Sequence, residues 1–161
     1  MAGKPKTLAD DEPRVQDIMV TDVITVGPEA TVSDLAHLLN KHGIGGVPVV
    51  DEKARLVGIV TEGDLVALDA DLHFPFYIQF LDGIVYLESI RKFEHRLRKA
   101  VGAFVKDVMT TDVLTVTPND TVRQAATIMS RNKINRVPVV DEERKLLGIV
   151  GRHDVLASIG L

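Results

Sequence analysis

The chain has 161 residues, no cysteine and a net charge of -4, with 23 acidic against 19 basic side chains. Disulfides, thiol catalysis and thiolate metal sites are excluded, and the acidic surplus argues against wholesale nucleic-acid binding. With 45% hydrophobic and 26% charged residues, the composition is that of a soluble globular chain, the size of one ordinary domain or two very small ones.

Residues 1–13 are polar, contain Pro5 and Pro13, and read as a mobile leader. They hold no apolar segment of the secretory kind, and no apolar run in the chain approaches the roughly 18 residues of a spanning helix. The expected compartment is therefore the cytoplasm, with no membrane contact. Val15-Gln16-Asp17-Ile18-Met19 opens the structured part. The β-branched run Val23–Val26, closed by Gly27-Pro28, predicts a strand. Thr31 and Asp34 have capping-box spacing, and Val32, Leu35, Ala36 and Leu39 form one apolar stripe, so a helix starts after Thr31 and stops near Gly43. The apolar runs Val47–Val50 and Leu56–Val60, joined by the polar turn 51–55, predict a hairpin-like strand pair, with Pro48 placed near a strand start or an edge. Thr61-Glu62-Gly63-Asp64 leads into a second helix.

The segment 69–104 differs in kind, because all five Phe and both Tyr lie in it. Phe74–Leu81 is a dense apolar run broken by Asp82-Gly83. Ile84–Val101 keeps a helical rhythm through Ile90, Phe93, Leu97 and Val101, with Glu88/Lys92 and Glu94/Arg98 pairs outside. After it the first pattern returns: a strand at Val113–Val116, a helix after Thr121 with Gln124 at the capping-box position, strands at Val137–Val140 and Leu146–Val150, and a helix over Asp154–Ile159.

Aligning Val15–Ala67 with Val105–Ala157 at a constant shift of 90 needs no gap and gives 25 identities in 53 positions. Such a repeat is one supersecondary unit burying its apolar face against its copy, and copies of about fifty residues are expected to share a core. The boundaries are a leader over 1–13, repeat 1 over 14–68, an aromatic and helical insert over 69–104, and repeat 2 over 105–161.

The openings VQDIM and VKDVM, the runs VITVGPEATV and VLTVTPNDTV, VPVVDE in both copies, and the endings GIVTEGD and GIVGRHD together resemble the tandem CBS-domain (Bateman) module. The resemblance covers nearly the whole chain outside the leader and insert. It implies an α/β fold of two strand-helix-strand-strand-helix repeats packed as a pseudo-twofold disc, with clefts that commonly bind adenosine-containing ligands and regulate a partner. In the family pattern Asp64 and Asp154 accept ribose hydroxyls, and Thr61 supplies a hydroxyl. A helix N-terminus there offers N–H groups to phosphate. The T-x-x-D spacing equally fits plain helix capping. The Asp154 cleft would combine Arg136, Ile149, Arg152, His153 and Asp154 with Thr25, Ile44 and Gly45. The Asp64 cleft would combine Ile59, Thr61, Gly63 and Asp64 with Thr110, Thr115, Ile134 and Asn135. Gly151 stands where the pattern has Thr or Ser, and Gly46 stands where repeat 2 has Arg136. Anionic nucleotides should therefore prefer the Asp154 cleft and less charged adenosine compounds the Asp64 cleft.

The histidines, at 37, 42, 73, 95 and 153, lack zinc-site spacing, and there is no nucleophile elbow, Walker loop or dinucleotide fingerprint. No catalytic residue and no resident cofactor is expected. Three functional classes remain. The chain senses an adenosine ligand (AMP, ADP, ATP, with S-adenosylmethionine or NAD as further candidates) and signals to an effector protein. Alternatively it is an assembly module whose aromatic insert docks a partner or a second copy as a homodimer. Nucleic-acid binding through Arg91, Lys92, Arg96, Arg98 and Lys99 is the weakest, because Glu88 and Glu94 offset that charge.

Overall fold

The computed structural model describes residues 12–69, 77–80, 83–86 and 103–160. The chain divides into two compact units: Met1–Ile24, Lys53–Leu56 and Val113–Leu161 form the first, Thr25–Glu52 and Val57–Asp112 the second. These units do not coincide with the sequence repeats. Each unit is built mainly from one repeat but takes the opening segment of the other.

In the first unit, α1 (Val15–Ile18) is a single turn whose entry is closed by the Asp17 carboxylate, which accepts the Arg14 N–H at 2.8 Å. Later in the chain come α5 (Val122–Asn132), β5 (Arg136–Val140), β6 (Leu146–Gly151) and α6 (Arg152–Ser158). β5 and β6 pair antiparallel from Arg136 opposite Gly151 to Val140 opposite Leu146, with an irregularity after Val139. The expected strand at 113–116 is reduced to one parallel bridge, Val116 to Val139, and on the other side of the pair Val20 bridges Ile149. Pro138 sits in the middle of β5, an edge strand of a two-stranded sheet, as Pro48 does in the strand Gly46–Val50, so the edge placement expected for Pro48 holds. Pro138 is accommodated because its partner Ile149 turns its own N–H and C=O outward to Val20 at 2.9 Å each, so no ladder bond is asked of the missing donor. The core is Val15, Val116, Ala125, Met129, Val137, Val139 and Val150, with Ile18, Met19, Ile128, Ile134 and Val155 against it.

The second unit repeats this plan with α2 (Val32–His42), β1 (Gly46–Val50), β2 (Leu56–Thr61, whose first residue falls in the first unit), α3 (Glu62–Asp69) and the turn α4 (Val105–Val108). β1 pairs with β2, Val26 bridges Val49 in parallel, and Ile59 bridges Thr110. Leu35, Leu39, Val47, Val49, Val60 and Val105 are buried. The Lys106 ammonium binds Glu29 at 2.9 Å and lies 5.2 Å from the Phe104 ring centre; its hydrogen bond to Glu29 holds it above the ordinary lysine range.

Both long helices start as expected. Thr31 Oγ1 accepts the Asp34 N–H at 3.0 Å. Thr121 Oγ1 accepts the Gln124 N–H at 3.1 Å while Gln124 Oε1 takes the Thr121 N–H at 2.7 Å, a full capping box. Their ends differ. Gly43 closes α2 at φ 60, and Lys133 occupies the same left-handed position after α5 at φ 54. A side chain there costs about 1–2 kcal/mol, partly offset by the greater unfolded-state freedom of glycine. Lys133→Gly is therefore expected to raise Tm by about 1–4 °C in a thermal melt, and Gly43→Ala to lower it by a similar amount.

Between the repeats, β3 (Tyr77–Phe80) pairs antiparallel with β4 (Gly83–Tyr86), Tyr77 opposite Tyr86 and Phe80 opposite Gly83. Ile84, Val85 and Tyr86 thus begin a strand where the periodicity predicts the start of a helix. Their β-branched and aromatic character, next to an Asp-Gly turn signal, outweighs the helical spacing at that end. The remainder of that expected helix, 87–101, lies outside the described residues, as do the leader up to residue 11 and Phe74 and Phe76.

Candidate functional site

The exposed face of each strand pair ends at an aspartate in the first turn of a helix. Along β2 the core-facing Leu56, Gly58 and Val60 are buried, and Val57, Ile59 and Thr61 on the other face are half-buried. β6 presents Leu147, Ile149 and Gly151 in the same way. This period of two turns Ile59 and Ile149 away from the core, toward whatever covers the open face.

In the second unit Asp64 uses one oxygen, Oδ2, for two bonds: the Thr61 N–H at 2.7 Å and the Thr61 hydroxyl at 2.9 Å. Oδ1 receives no hydrogen bond from the described residues. The Thr61 proton is thus spent on the aspartate, and the hydroxyl presents only lone pairs outward. In the first unit Asp154 Oδ2 accepts the Gly151 N–H at 2.7 Å. Without a hydroxyl at 151, that is its single bond among the described residues. The aspartate half of the capping reading therefore holds in both copies, T-x-x-D at 61–64 and G-x-x-D at 151–154, and among the described residues it engages one carboxylate oxygen of each aspartate.

The flanking residues separate the two sites chemically. Arg136 faces Gly151 across the strand pair, and the exposed Arg152 and His153 precede Asp154. Asn135 O accepts the Arg152 N–H at 3.0 Å, which ties the start of β5 to the end of β6. In the other copy the neighbours of Asp64 are Thr61, Glu62 and Gly63, and Gly45 O accepts the Glu62 N–H at 3.0 Å. Arg136, Arg152 and Asp154 sum to +1, whereas Glu62 and Asp64 sum to -2, a difference of three charges between equivalent sites.

Gly46 shows why repeat 1 holds no arginine there. A Cβ at 46 would stand 2.9 Å from Thr61 Cγ2 and 2.9 Å from Val60 O. Gly46→Arg is expected to cost about 1–3 kcal/mol by overpacking, read as a lower midpoint in urea unfolding with an unchanged slope.

Of the residues expected in the Asp154 set, Arg136, Ile149, Arg152, His153 and Asp154 share the first unit, and Thr25, Ile44 and Gly45 belong to the second. Of the Asp64 set, Ile59, Thr61, Gly63, Asp64 and Thr110 share the second unit, and Thr115, Ile134 and Asn135 belong to the first. Ile59 and Thr110 are brought into direct backbone contact, with both N–H···O bonds at 2.9 Å. Val20, in the same relation to Ile149, is absent from the sequence-derived set, although the shift of 90 that relates it to Thr110 points to it.

The model of the CBS domain matches residues 15–71 and 105–160. The chain belongs to the CBS-domain family. This CBS pair is 33% identical over 152 residues to the uncharacterized protein MJ1426 of Methanocaldococcus jannaschii, covering 90% of each chain. It is 31% identical to inosine-5'-monophosphate dehydrogenase of the same organism, but that match takes in 89% of this chain and only 23% of the enzyme. Among solved structures it is similar to CBSX2 of Arabidopsis thaliana, including a complex with AMP (30% identity, 91% of this chain, 96% of that chain, TM-score 0.70). It is likewise similar to the CBS domain pair of protein MJ0100 in complex with 5'-methylthioadenosine and S-adenosyl-L-methionine (28% identity, 92% and 97% coverage, TM-score 0.67). The chain thus holds a CBS pair with a mixed α/β fold, and the CBS pair is not a catalytic module. Among the described residues, no helix is long and apolar enough to cross a membrane.

Proposed function

We propose that this CBS pair is a cytoplasmic regulatory module that binds an adenosine-containing ligand and passes its occupancy to an effector protein. The observation that supports the reading is the second oxygen on Asp64 and on Asp154, to which no described residue donates, on a carboxylate fixed by a helix cap near an apolar, outward-facing strand residue. A ribose diol needs such a carboxylate, and the isoleucine face suits an adenine ring. Structures of similar CBS pairs hold AMP in one case and 5'-methylthioadenosine with S-adenosyl-L-methionine in another.

The charge difference supports distinct ligand classes at the two sites. Arg136, Arg152 and His153 make the Asp154 site the one for anionic nucleotides such as AMP, ADP or ATP. Glu62, Asp64 and the lone pairs of Thr61 make the other site one for uncharged or cationic adenosine compounds. Thermal melting with AMP, ADP, ATP, NAD and S-adenosylmethionine tests this directly. A ligand at a hundredfold excess over its Kd stabilises by about 2.7 kcal/mol, a Tm rise of roughly 5–10 °C. No shift with any compound at millimolar concentration refutes it.

Assembly is the second function proposed. Val66 on α3 and Leu156 on α6, at the same repeat position, are 61% and 45% exposed, and Ile159 is 61% exposed. Large apolar residues left open at equivalent places favour a homodimer, and light scattering after gel filtration should give twice the chain mass.

A further inference from the structure

The methionines of VQDIM and VKDVM have no part in the two sites described above. We infer that Met19 and Met109 are positioning residues for the ligand-side strands, and that each acts on the site of the other sequence repeat. The inference rests on the ligand reading above for its functional consequence and on backbone geometry for its mechanism.

In the first unit Val20 and Ile149 exchange both backbone hydrogen bonds at 2.9 Å, so residues 19–20 cap the outer edge of β6. The neighbouring Gly148 is buried, and a Cβ built there would lie 2.9 Å from Met19 Sδ, 3.2 Å from Met19 Cγ and 2.9 Å from Val20 O. Met19 therefore lies flat on a bare stretch of backbone, with its own side chain packed against the core cluster. In the second unit the arrangement recurs. Ile59 and Thr110 exchange hydrogen bonds at 2.9 Å, and a Cβ on Gly58 would meet Met109 Sδ at 2.6 Å, Met109 Cγ at 3.0 Å and Thr110 O at 3.1 Å.

A glycine inside a strand is unfavourable unless something must approach its backbone closely, and here the approaching group is a thioether in both copies. The contact fixes the strand one residue before the outward-facing isoleucine and three residues before the 151 or 61 position whose N–H holds the aspartate. Loosening the clip leaves the edge of β6 or β2 unpaired at Ile149 or Ile59 and blurs the position of the apolar face. The lever is crossed: Met19 comes from repeat 1 and sets Ile149 of repeat 2, and Met109 does the reverse.

Titration calorimetry with AMP and with adenosine, on Met19→Ala and Met109→Ala, tests the crossing. Met19→Ala is expected to weaken AMP about tenfold, at least about fivefold more than Met109→Ala does, with the order inverted for adenosine and Met19→Leu recovering most of the loss. Gly148→Ala, which pushes the clip from the other side, should repeat the Met19→Ala result. Equal losses from both methionines, or a loss of AMP binding that follows Met109, would overturn the inference. A ligand-free arm separates it from the ligand reading: Met19→Ala should speed amide hydrogen exchange at Val20 and Ile149 more than at Ile59 and Thr110. Unchanged exchange there refutes the clip even where AMP binds. If wild type binds neither probe, the positioning role falls with the ligand reading, and the exchange result decides the clip alone.

Discussion

Replacing Asp154 by alanine is expected to abolish the thermal stabilisation conferred by AMP, while lowering the ligand-free Tm by only about 2–4 °C. The two effects come from different oxygens. Oδ2 caps α6 through the Gly151 N–H at 2.7 Å, and losing such a cap costs about 1 kcal/mol. The other oxygen is the acceptor assigned to the ribose hydroxyls. Hydrogen bonds to a charged partner contribute about 1.5–3 kcal/mol each, so two of them amount to a loss in affinity of about 10²–10⁴. Asp64→Ala removes a doubly bonded cap and is expected to act more strongly on adenosine than on AMP. A Tm panel of the two variants against both ligands reads all four values. If neither variant alters either ligand shift, the aspartates are caps and nothing more.

Leu35→Ala is expected to be the most destabilising conservative change in the chain, at about 2–5 kcal/mol in chemical unfolding. Leu35 is fully buried on α2, in a core shared with Leu39, Val47, Val49, Val60 and Val105. Its equivalent on α5 is Ala125, also fully buried, within a core that contains Met129 and is joined by Met19 and Ile128. The same repeat position thus carries a large residue in one unit and a small one in the other. Ala125→Leu should destabilise by about 1–3 kcal/mol through overpacking, although it copies the residue that repeat 1 uses. Tolerance of either exchange within about 0.5 kcal/mol would show that the two cores are interchangeable.

Much of this architecture is legible from the repeat. The helix caps at Thr31 and Thr121, the left-handed stop at Gly43 and the paired strands before Asp64 and Asp154 all follow from local chemistry that acts within four or five residues. What escapes is set by distant partners. Val23–Val26 has strand composition, yet among the described residues only Val26 finds a backbone partner, because β1 offers it one parallel bridge before Gly27-Pro28 turns the chain away. The exchange of opening segments is invisible to an alignment, which places VQDIM with the repeat that follows it. Its signature is the coincidence of a conspicuous methionine in the opening and a glycine in each GIV run. Thr61 is the subtler case: spacing alone places a hydroxyl at the site, and only the geometry shows that its proton is committed to Asp64. The loss of that hydroxyl at Gly151 consequently removes a bond to the aspartate.

Binding of adenosine nucleotides through the two aspartates is read by calorimetric titration of AMP into the wild-type protein. Saturable heat with a defined stoichiometry, eliminated by Asp154→Ala in protein that still melts cooperatively, is the predicted result. Absence of saturable heat at millimolar AMP, or full binding retained by Asp154→Ala, would contradict it.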